Sequence, residues 1–418
     1  MLKSTWAAKL GYVASNQLLT EVCIFARNVL IARLVGAETL GEFIFLILSI
    51  RLFTMSTDLA AERHIMQVTN EALPGALAAA HFTGRLRGVF LACILISMGL
   101  HNVHGISFIS YFLLAIGAAV NGFTHQGYRL KQRKLNFRPA LYIEGAATVL
   151  GTVTVYIAAS IVPSLEAVCA CVLAQAVLQS SLSHITADTP YSANASNVDT
   201  KHLFRFGLPL LLTGVAMFWS MQGERLILSA LLPADKFAHF SMMFQLALVP
   251  ILVMSRMMLT LGLPYFASLK HDWIEFEHRL GQLHIITYLA AFSFAGCFLI
   301  LANPALAILF GADFRSEVVL ILLIAITQAL RLCRAPQSVA AQALGQTDIP
   351  FKANLVRVAA ALVAAASMFV GGSITTLLTV ACFGEGLAWA TQGLLFSLRN
   401  RATAHPVSPQ LRAQEILQ

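Results

Sequence analysis

The sequence has 418 residues, of which 58% are hydrophobic and only 11% are charged, and its formal net charge is +8. Soluble domains carry about 25% charged residues, so this composition excludes a soluble globular protein. Because a membrane-spanning helix takes roughly 20 mainly apolar residues, the chain is long enough for about a dozen of them.

Apolar runs separated by charged or Gly- and Pro-rich breaks predict the membrane spans in chain order. The first run follows Lys3 and Lys9 and contains Glu21 and Arg27, with no small-residue cleavage site, which predicts a retained helix rather than a signal peptide. We expect an all-α polytopic membrane protein of about 12 transmembrane helices. The predicted spans are residues 10–33, 40–62, 84–101, 105–127, 139–160, 163–186, 204–232, 237–262, 280–302, 316–340, 353–371 and 374–398.

Basic residues are distributed unevenly between the two sides of these spans. When Lys and Arg residues towards the ends of spans are counted with the adjacent gap, 21 of the 28 belong to even-numbered gaps or the termini, three to odd-numbered gaps and four to the interior of spans. The positive-inside rule therefore predicts that both termini are cytoplasmic. The same distribution accounts for the net charge without a nucleic-acid partner. We expect the basic segment 129–138, and also Arg331 and Arg334, to act as anchors at the membrane interface.

The sequence contains no pattern typical of a metal site or an enzyme. The seven cysteines lie in apolar segments without zinc-ligand spacing, and His101 and His104 have no third ligand nearby. Neither a Gly-rich phosphate loop nor a Ser/His/Asp arrangement is recognisable. We therefore expect a protein that is not an enzyme and that has no metal or cofactor.

The chain contains a weak internal repeat with an offset of 197 residues. Residues 31–43 (IARLVGAETLGEF) align with residues 228–240 (LSALLPADKFAHF), and a chance likeness between two apolar helix pairs is the alternative. Parallel repeats are one plan of secondary transporters, with the substrate path between the halves. We predict two pseudo-symmetric six-helix bundles, an N-terminal one at residues 1–186 and a C-terminal one at residues 204–398. A cytoplasmic hinge at residues 187–203 joins them, and a cytoplasmic tail follows at residues 399–418.

Charged side chains occur inside the predicted spans, where an arginine that faces lipid costs roughly 2.5–3.5 kcal/mol on insertion scales. The four such arginines are Arg27, Arg51, Arg225 and Arg256. The acidic residues at similar depth are Glu21, Asp58 and Glu224, and the polar neighbours are Gln17, Asn28, Gln222 and Gln245. Arg51 and Asp58 are seven residues apart, which predicts one shared helical face. The pattern indicates either a salt-bridge network that locks helices together or a polar, partly cationic vestibule for an anionic substrate.

Three stretches of the chain resemble the Wzx-type polysaccharide flippases of the multidrug/oligosaccharidyl-lipid/polysaccharide superfamily. Residues 28–43 resemble that family's turn between its first and second helices, and residues 127–137 with Glu144 resemble its fourth-to-fifth loop. The pair Glu224 and Arg225 lies where the family's second half has Asp followed by Arg or Lys. Glu224 thus departs from the usual Asp.

The resemblance implies a flippase that moves undecaprenyl-diphosphate-linked oligosaccharide from the cytoplasmic to the outer leaflet of a bacterial inner membrane, by alternating access, for lipopolysaccharide O-antigen assembly. From depth and charge type, we assign the four arginines to headgroup contact and the three acidic residues to counter-charge or coupling to a proton or sodium ion. The four polar residues would line the cavity. The expected partners are the lipid-linked oligosaccharide, membrane lipids and a polysaccharide polymerase or assembly complex, and we expect a monomer.

Two rival functions are considered. A multidrug or toxin exporter of the same superfamily would carry cations and should have a net acidic cavity, whereas here four deep arginines accompany three carboxylates. A membrane-embedded O-antigen polymerase or glycosyltransferase should have a long outer loop or an exposed carboxylate motif. The short loops between the predicted spans argue against that enzyme class.

Overall fold

The computed structural model describes the backbone of residues 2–134, 136–192 and 200–404. In these ranges the side chains of residues 2–17, 62, 63, 67, 200–206, 209 and 401–404 are not described. Within the described residues the chain is helical, with no strand. The first half contains α1 Leu2–Leu34, α2 Ala37–Ser56, α3 Ala61–Gln67, α4 Leu73–Leu100, α5 Phe108–Gly122, α6 Gly127–Arg133, α7 Arg138–Ala140, a π-helical turn Leu141–Gly145, α8 Ala146–Ile161 and α9 Leu165–Ile185. The second half contains α10 Thr200–Leu231, α11 Ala234–Ser268, α12 Trp273–Leu309, α13 Val318–Ala343, α14 Asp348–Phe369 and α15 Ile374–Ala404. Single turns of 3₁₀ helix lie at Val103–Gly105 and Ala312–Phe314.

The helices have the length and composition of membrane spans. In the described part of the chain nine helices satisfy both criteria, and α5 with α6, bent by 55°, makes a tenth if the pair is one span. α1 and α10, which have 33 and 32 residues, coincide with the first and seventh predicted spans and extend into residues whose side chains are not described. The predicted all-α polytopic fold is thus confirmed.

Polarity is inverted relative to a soluble protein. Phe292, Ile300 and Phe383 are each more than 70% exposed, whereas Arg331 and Arg357 are buried. Because lipid tails are as apolar as leucine, large apolar side chains are stable on the outer surface and charged groups must be satisfied inside. The helices are therefore apolar around most of their circumference.

The end of α2 differs from the sequence prediction. α2 ends at Ser56, so Asp58 lies in the turn after the helix and does not share a helical face with Arg51. The Asp58 carboxylate instead accepts hydrogen bonds from the backbone N–H of Ala60 at 3.0 Å and from Arg87 Nη1 at 3.3 Å. A side chain that bonds nearby backbone favours a turn over helix continuation, and this explains the early helix end.

The two repeated segments form the same helix–turn–helix. α1 ends at Leu34 and α2 begins at Ala37, while α10 ends at Leu231 and α11 begins at Ala234, which reproduces the offset of 197 residues. The two turns also lie close together, because a methyl group added at Gly41 of α2 would overlap the backbone carbonyl of Ala234. The internal repeat is therefore present in the helix boundaries of the fold.

Contacts between Cα atoms divide the chain into two compact units. The first unit comprises Met1–Phe218, Arg225–Ser241 and Ile308–Asp313, and the second comprises Trp219–Glu224, Met242–Ala307 and Phe314–Gln418. Arg33 contributes to the first unit, since its Nε donates to the carbonyl of Leu309 at 3.0 Å. The predicted hinge at 187–203 includes residues 193–199, which lie outside the described residues.

A cluster of rings in the first unit fastens the segment that follows α9. His81 Nε2 accepts a hydrogen bond from the backbone N–H of Gln126 at 3.0 Å, so its Nδ1 carries the proton and donates to the carbonyl of Ser192 at 2.7 Å. His125 likewise accepts from the Gly127 N–H and contacts the carbonyl of Thr189. Both imidazoles are thereby neutral, and they connect the break between α5 and α6 to residues 189–192.

Candidate functional site

Three of the predicted arginines come together in the first unit. Arg27 on α1 and Arg225 on α10 are buried, with 8% and 6% of their surface exposed, whereas Arg51 on α2 is exposed. The charge of Arg51 acts on both Arg27 and Arg225, so Arg51 lies within electrostatic range of both. We call these three residues the cationic cluster.

Neutral groups hold Arg27 in the cationic cluster. Its Nη1 donates to Gln175 Oε1 on α9 at 3.3 Å, and its guanidinium lies 5.3 Å from the centre of the Phe43 ring. Gln175 is in turn positioned by Thr148, to whose hydroxyl it donates at 3.5 Å. Arg27 Nε is buried and has no hydrogen-bond partner among the described residues. Amide and aromatic partners orient the guanidinium without cancelling its charge.

The cationic cluster carries more positive than negative charge. Arg225 Nε donates to the hydroxyl of Ser241 on α11 at 3.5 Å. Glu21 on α1 is half-buried, and its carboxylate charge acts on Arg51. The cluster and Glu21 together comprise three guanidinium groups and one carboxylate. Such a group attracts anions, and the attraction is strong because Arg27 and Arg225 are buried.

The second unit contains a separate, fully buried ionic network. Glu385 of α15 accepts from Arg331 Nε at 2.5 Å and from Arg357 at 2.8 Å through Nε and 2.6 Å through Nη2. Glu224 of α10 accepts from Arg331 Nη2 at 3.3 Å. Arg334 joins through Asn354, whose amide oxygen also accepts from Arg357. Three buried arginines therefore share two buried carboxylates, and four helices are connected through polar contacts.

The prediction that Arg331 and Arg334 are interfacial anchors is wrong. Both are less than 10% exposed on α13, because Glu385 supplies a carboxylate from α15, 54 residues beyond Arg331. Glu224 is paired with Arg331 rather than with its sequence neighbour Arg225. Successive residues of a helix point in different directions, so adjacent charges need not face each other.

The remaining predicted residues are divided between the two units. Asn28 is buried on α1 in the first unit. Gln245 is buried and Gln222 and Arg256 are half-buried in the second unit. Gln17 lies in α1, but its side chain is outside the described residues. The described residues contain no group of three His, Cys, Asp or Glu side chains placed to hold a metal ion.

Sequence reasoning missed Glu385 and Arg357, which are central to the ionic network. Glu385 stands between Gly384 and Gly386 inside an apolar run, where a carboxylate facing lipid is costly. That signal was present in the sequence. Arg357 lies near the predicted start of its span at residue 353 and was counted with the basic residues of the adjacent gap, whereas α14 begins five residues earlier, at Asp348.

Comparisons with known proteins give the family and the fold of the chain. The profile of a family described as "Polysaccharide biosynthesis protein" matches residues 30–319. No curated protein matches the sequence. Three solved structures illustrate the fold. A multidrug resistance MATE family transporter of the MOP superfamily, inward-facing, has a TM-score of 0.72 at 14% identity, and the match covers 93% of this chain and 96% of that one.

The two other structures have lower TM-scores. The lipid II flippase MurJ in an inward closed conformation has a TM-score of 0.68 at 14% identity, covering 93% of this chain and 87% of that one. A MOP superfamily transporter from Pyrococcus furiosus, described as having a binding pocket of reverse polarity, has a TM-score of 0.59 at 14% identity, covering 95% and 96%. These similarities establish the transporter fold of the chain.

Proposed function

Because the chain belongs to the polysaccharide biosynthesis protein family, we propose that it is a flippase for lipid-linked oligosaccharides, with undecaprenyl diphosphate as the lipid carrier. Transport runs from the cytoplasmic to the outer leaflet by alternating access, and supplies repeat units for a cell-surface polysaccharide such as O-antigen. In this proposal the membrane is the bacterial inner membrane, and a polymerase receives the product on its outer side.

The cationic cluster is the observation that supports this proposal. Within a helical membrane protein, Arg27, Arg51 and Arg225 gather on three different helices with Glu21 as a neighbouring carboxylate. A diphosphate carries two or more negative charges and loses its hydration when it enters the membrane. Guanidinium groups replace that hydration because their planar donors bind phosphate oxygens in pairs.

The state of Arg27 fits an anion-binding role. A purely structural arginine would be expected to pair with carboxylates or carbonyls, as Arg331 and Arg357 do with Glu385, although Arg331 Nη1 is also buried without a partner among the described residues. Arg27 instead has an amide and an aromatic ring as partners and a buried Nε without one in the described part of the chain. Its charge is therefore available to a ligand. Arg256, in the second unit, is proposed as a further headgroup contact, and Glu21 as a counter-charge or as the site of a coupling proton or sodium ion.

The test is a flipping assay with the purified protein in liposomes. The substrate is a fluorescent polyprenyl-diphosphate oligosaccharide, and a membrane-impermeant reagent reports the leaflet. Loss of a hydrogen bond between a charged donor and the diphosphate costs about 1.5–3 kcal/mol, so Arg27→Ala or Arg51→Ala should slow flipping roughly 10- to 150-fold. Arg27→Lys should retain part of the rate because it preserves the charge but not the planar donors.

Arg279→Gln is the matched control. Arg279 is exposed on α12 and pairs with Glu275 one turn earlier, at 2.7 Å. Its removal should leave flipping unchanged, because an exposed pair of this kind contributes little. If the wild type leaves the lipid in place but exports cationic dyes, the protein is a drug exporter and the cationic cluster is structural.

A further inference from the structure

The first unit contains a polar cavity that is separate from the cationic cluster. It has a volume of about 260 Å³ and lies between α2, α4, α5, α6, the π-helical turn and α9. This volume is close to the lower end of the range for small-molecule sites, about 300–1,000 Å³. Six of its lining residues carry the polar groups that matter here: Arg87, Asn121, Gln126, Arg129, Glu144 and Gln179.

Glycines allow the helices to approach closely at this cavity. A methyl group added at Gly88 of α4 would come within 2.8 Å of the Gly122 Cα on α5, and one at Gly122 would come within 2.8 Å of the Gly84 carbonyl oxygen. The spacing of Gly84 and Gly88 is the small-xxx-small pattern of tightly packed membrane helices. All three glycines line the cavity, so its wall there is backbone rather than side chain.

Gln126 lines the cavity and has an unsatisfied hydrogen-bond acceptor. The residue is only 8% exposed, and its Oε1 is buried without a hydrogen-bond partner among the described residues. The backbone of Gln126 is held in place, because its N–H donates to His81, and His81 in turn donates to the carbonyl of Ser192. A buried amide oxygen without a partner costs about 1–3 kcal/mol, and a ligand that donates to it recovers that cost.

The charged groups around the cavity are already paired. Arg129 Nη2 lies 3.4 Å from Glu144 Oε1, which also accepts from the Tyr128 hydroxyl at 3.0 Å. Arg87 Nη1 lies 3.3 Å from the Asp58 carboxylate. An anion would have to compete with these carboxylates. A neutral ligand with many hydroxyl groups would not, because it can donate to Gln126 and Glu144 and accept from the arginines and amides.

From this arrangement we propose that the cavity binds one sugar ring as a neutral polyol. The proposal rests on the proposed function, because the sugar it would hold is one unit of the lipid-linked oligosaccharide. The cavity shares α6 with the basic segment 129–138, and it is therefore at the end of the bundle where the oligosaccharide would be loaded if that segment faces the cytoplasm. Selection among sugars would then occur at Gln126 and Glu144, and diphosphate binding at the cationic cluster.

The experiment measures binding of methyl glycosides, of a hexose and of a 2-acetamido hexose, to the purified protein by saturation-transfer difference NMR. Inorganic phosphate is titrated as the second probe. We expect glycoside binding that Gln126→Leu weakens about tenfold, equivalent to one hydrogen bond in a buried site. Thr54→Phe, which fills the cavity from α2, should abolish it. Gln282→Leu, an exposed glutamine of α12, is the control and should not change it.

Two results would overturn the sugar site. One is a folded wild type that binds neither glycoside. The other is binding that Gln126→Leu and Thr54→Phe leave unchanged while both variants retain wild-type thermal stability. If, in the first case, phosphate binds and its binding depends on Gln126, the cavity is an anion site rather than a sugar site. Flipping by the wild type is measured in parallel: a protein that flips but shows no Gln126-dependent glycoside binding refutes only the site, and one that binds but does not flip refutes only the flippase.

Discussion

Neutralising Glu385 should destabilise the second unit strongly. Glu385 is 3% exposed, and one of its oxygens accepts from both Arg331 and Arg357 at 2.5–2.8 Å. In Glu385→Gln, three buried arginines would share the single carboxylate of Glu224. Breaking a buried ion pair by removal of one partner costs about 3–5 kcal/mol, because the remaining charge stays buried.

The magnitude can be converted into a melting temperature. For units of about 150–250 residues, 1 kcal/mol corresponds to a shift of about 2–4 °C, so Glu385→Gln should lower the melting temperature by roughly 6–20 °C. The assay is size-exclusion chromatography of the detergent-solubilised protein after heating. Asp348→Asn is the control. Asp348 pairs with Lys352 and Arg399 at an exposed position, where ion pairs contribute about 0–1 kcal/mol.

A second substitution tests the physical reason. Replacing Glu385 together with Arg357 by leucine and methionine removes one buried charge of each sign, and such exchanges are often neutral or stabilising. The double variant should therefore be more stable than Glu385→Gln alone. If Glu385→Gln melts within about 2 °C of the wild type, the carboxylate does not stabilise the buried arginines, and the ionic network contributes no stability.

Three further predictions concern the fold. Gly41→Ala should cost about 1–3 kcal/mol by overpacking against the backbone of Ala234, whereas Gly281→Ala, which has open space around it, should be neutral or stabilise by up to about 1 kcal/mol; thermal unfolding distinguishes them. His81→Phe removes the acceptor of a buried N–H and releases the segment after α9, so chymotrypsin should cleave after Tyr191 faster than in the wild type. A C-terminal green fluorescent protein fusion should fluoresce and an alkaline phosphatase fusion should be inactive, and the opposite pair of results would refute the cytoplasmic C-terminus.

The fold class could be predicted from the sequence because hydropathy acts over whole helices. Each apolar run is long enough that an error of a few residues does not change its assignment. Boundaries were less predictable. The end of α2 at Ser56 depends on the hydrogen bond from the Ala60 N–H to Asp58, which is one local contact rather than an average over many residues.

The candidate site could be predicted only in part. Arginines inside spans were recognisable one helix at a time, and Arg51 does lie within electrostatic range of Arg27 and Arg225. Partners that are distant in the chain were not recognisable, since the pairing of Arg331 with Glu385 depends on how α13 packs against α15. The polar cavity lined by Gln126 and Glu144 could not have been found from the sequence, because its lining residues are spaced irregularly over six elements of structure.

The close contact of Gly41 with Ala234 shows how the two halves of the repeat can diverge in sequence. Position 41 corresponds to position 238 in the repeat, and position 234 corresponds to position 37, so the contact joins one turn to a non-equivalent place in the other. In a symmetric dimer every such contact occurs twice, so one substitution changes both contacts. In a single chain that contains both repeats, a substitution changes only one of them. Glycine is needed at position 41, whereas alanine occupies the equivalent position 238, and each half can therefore acquire its own chemistry.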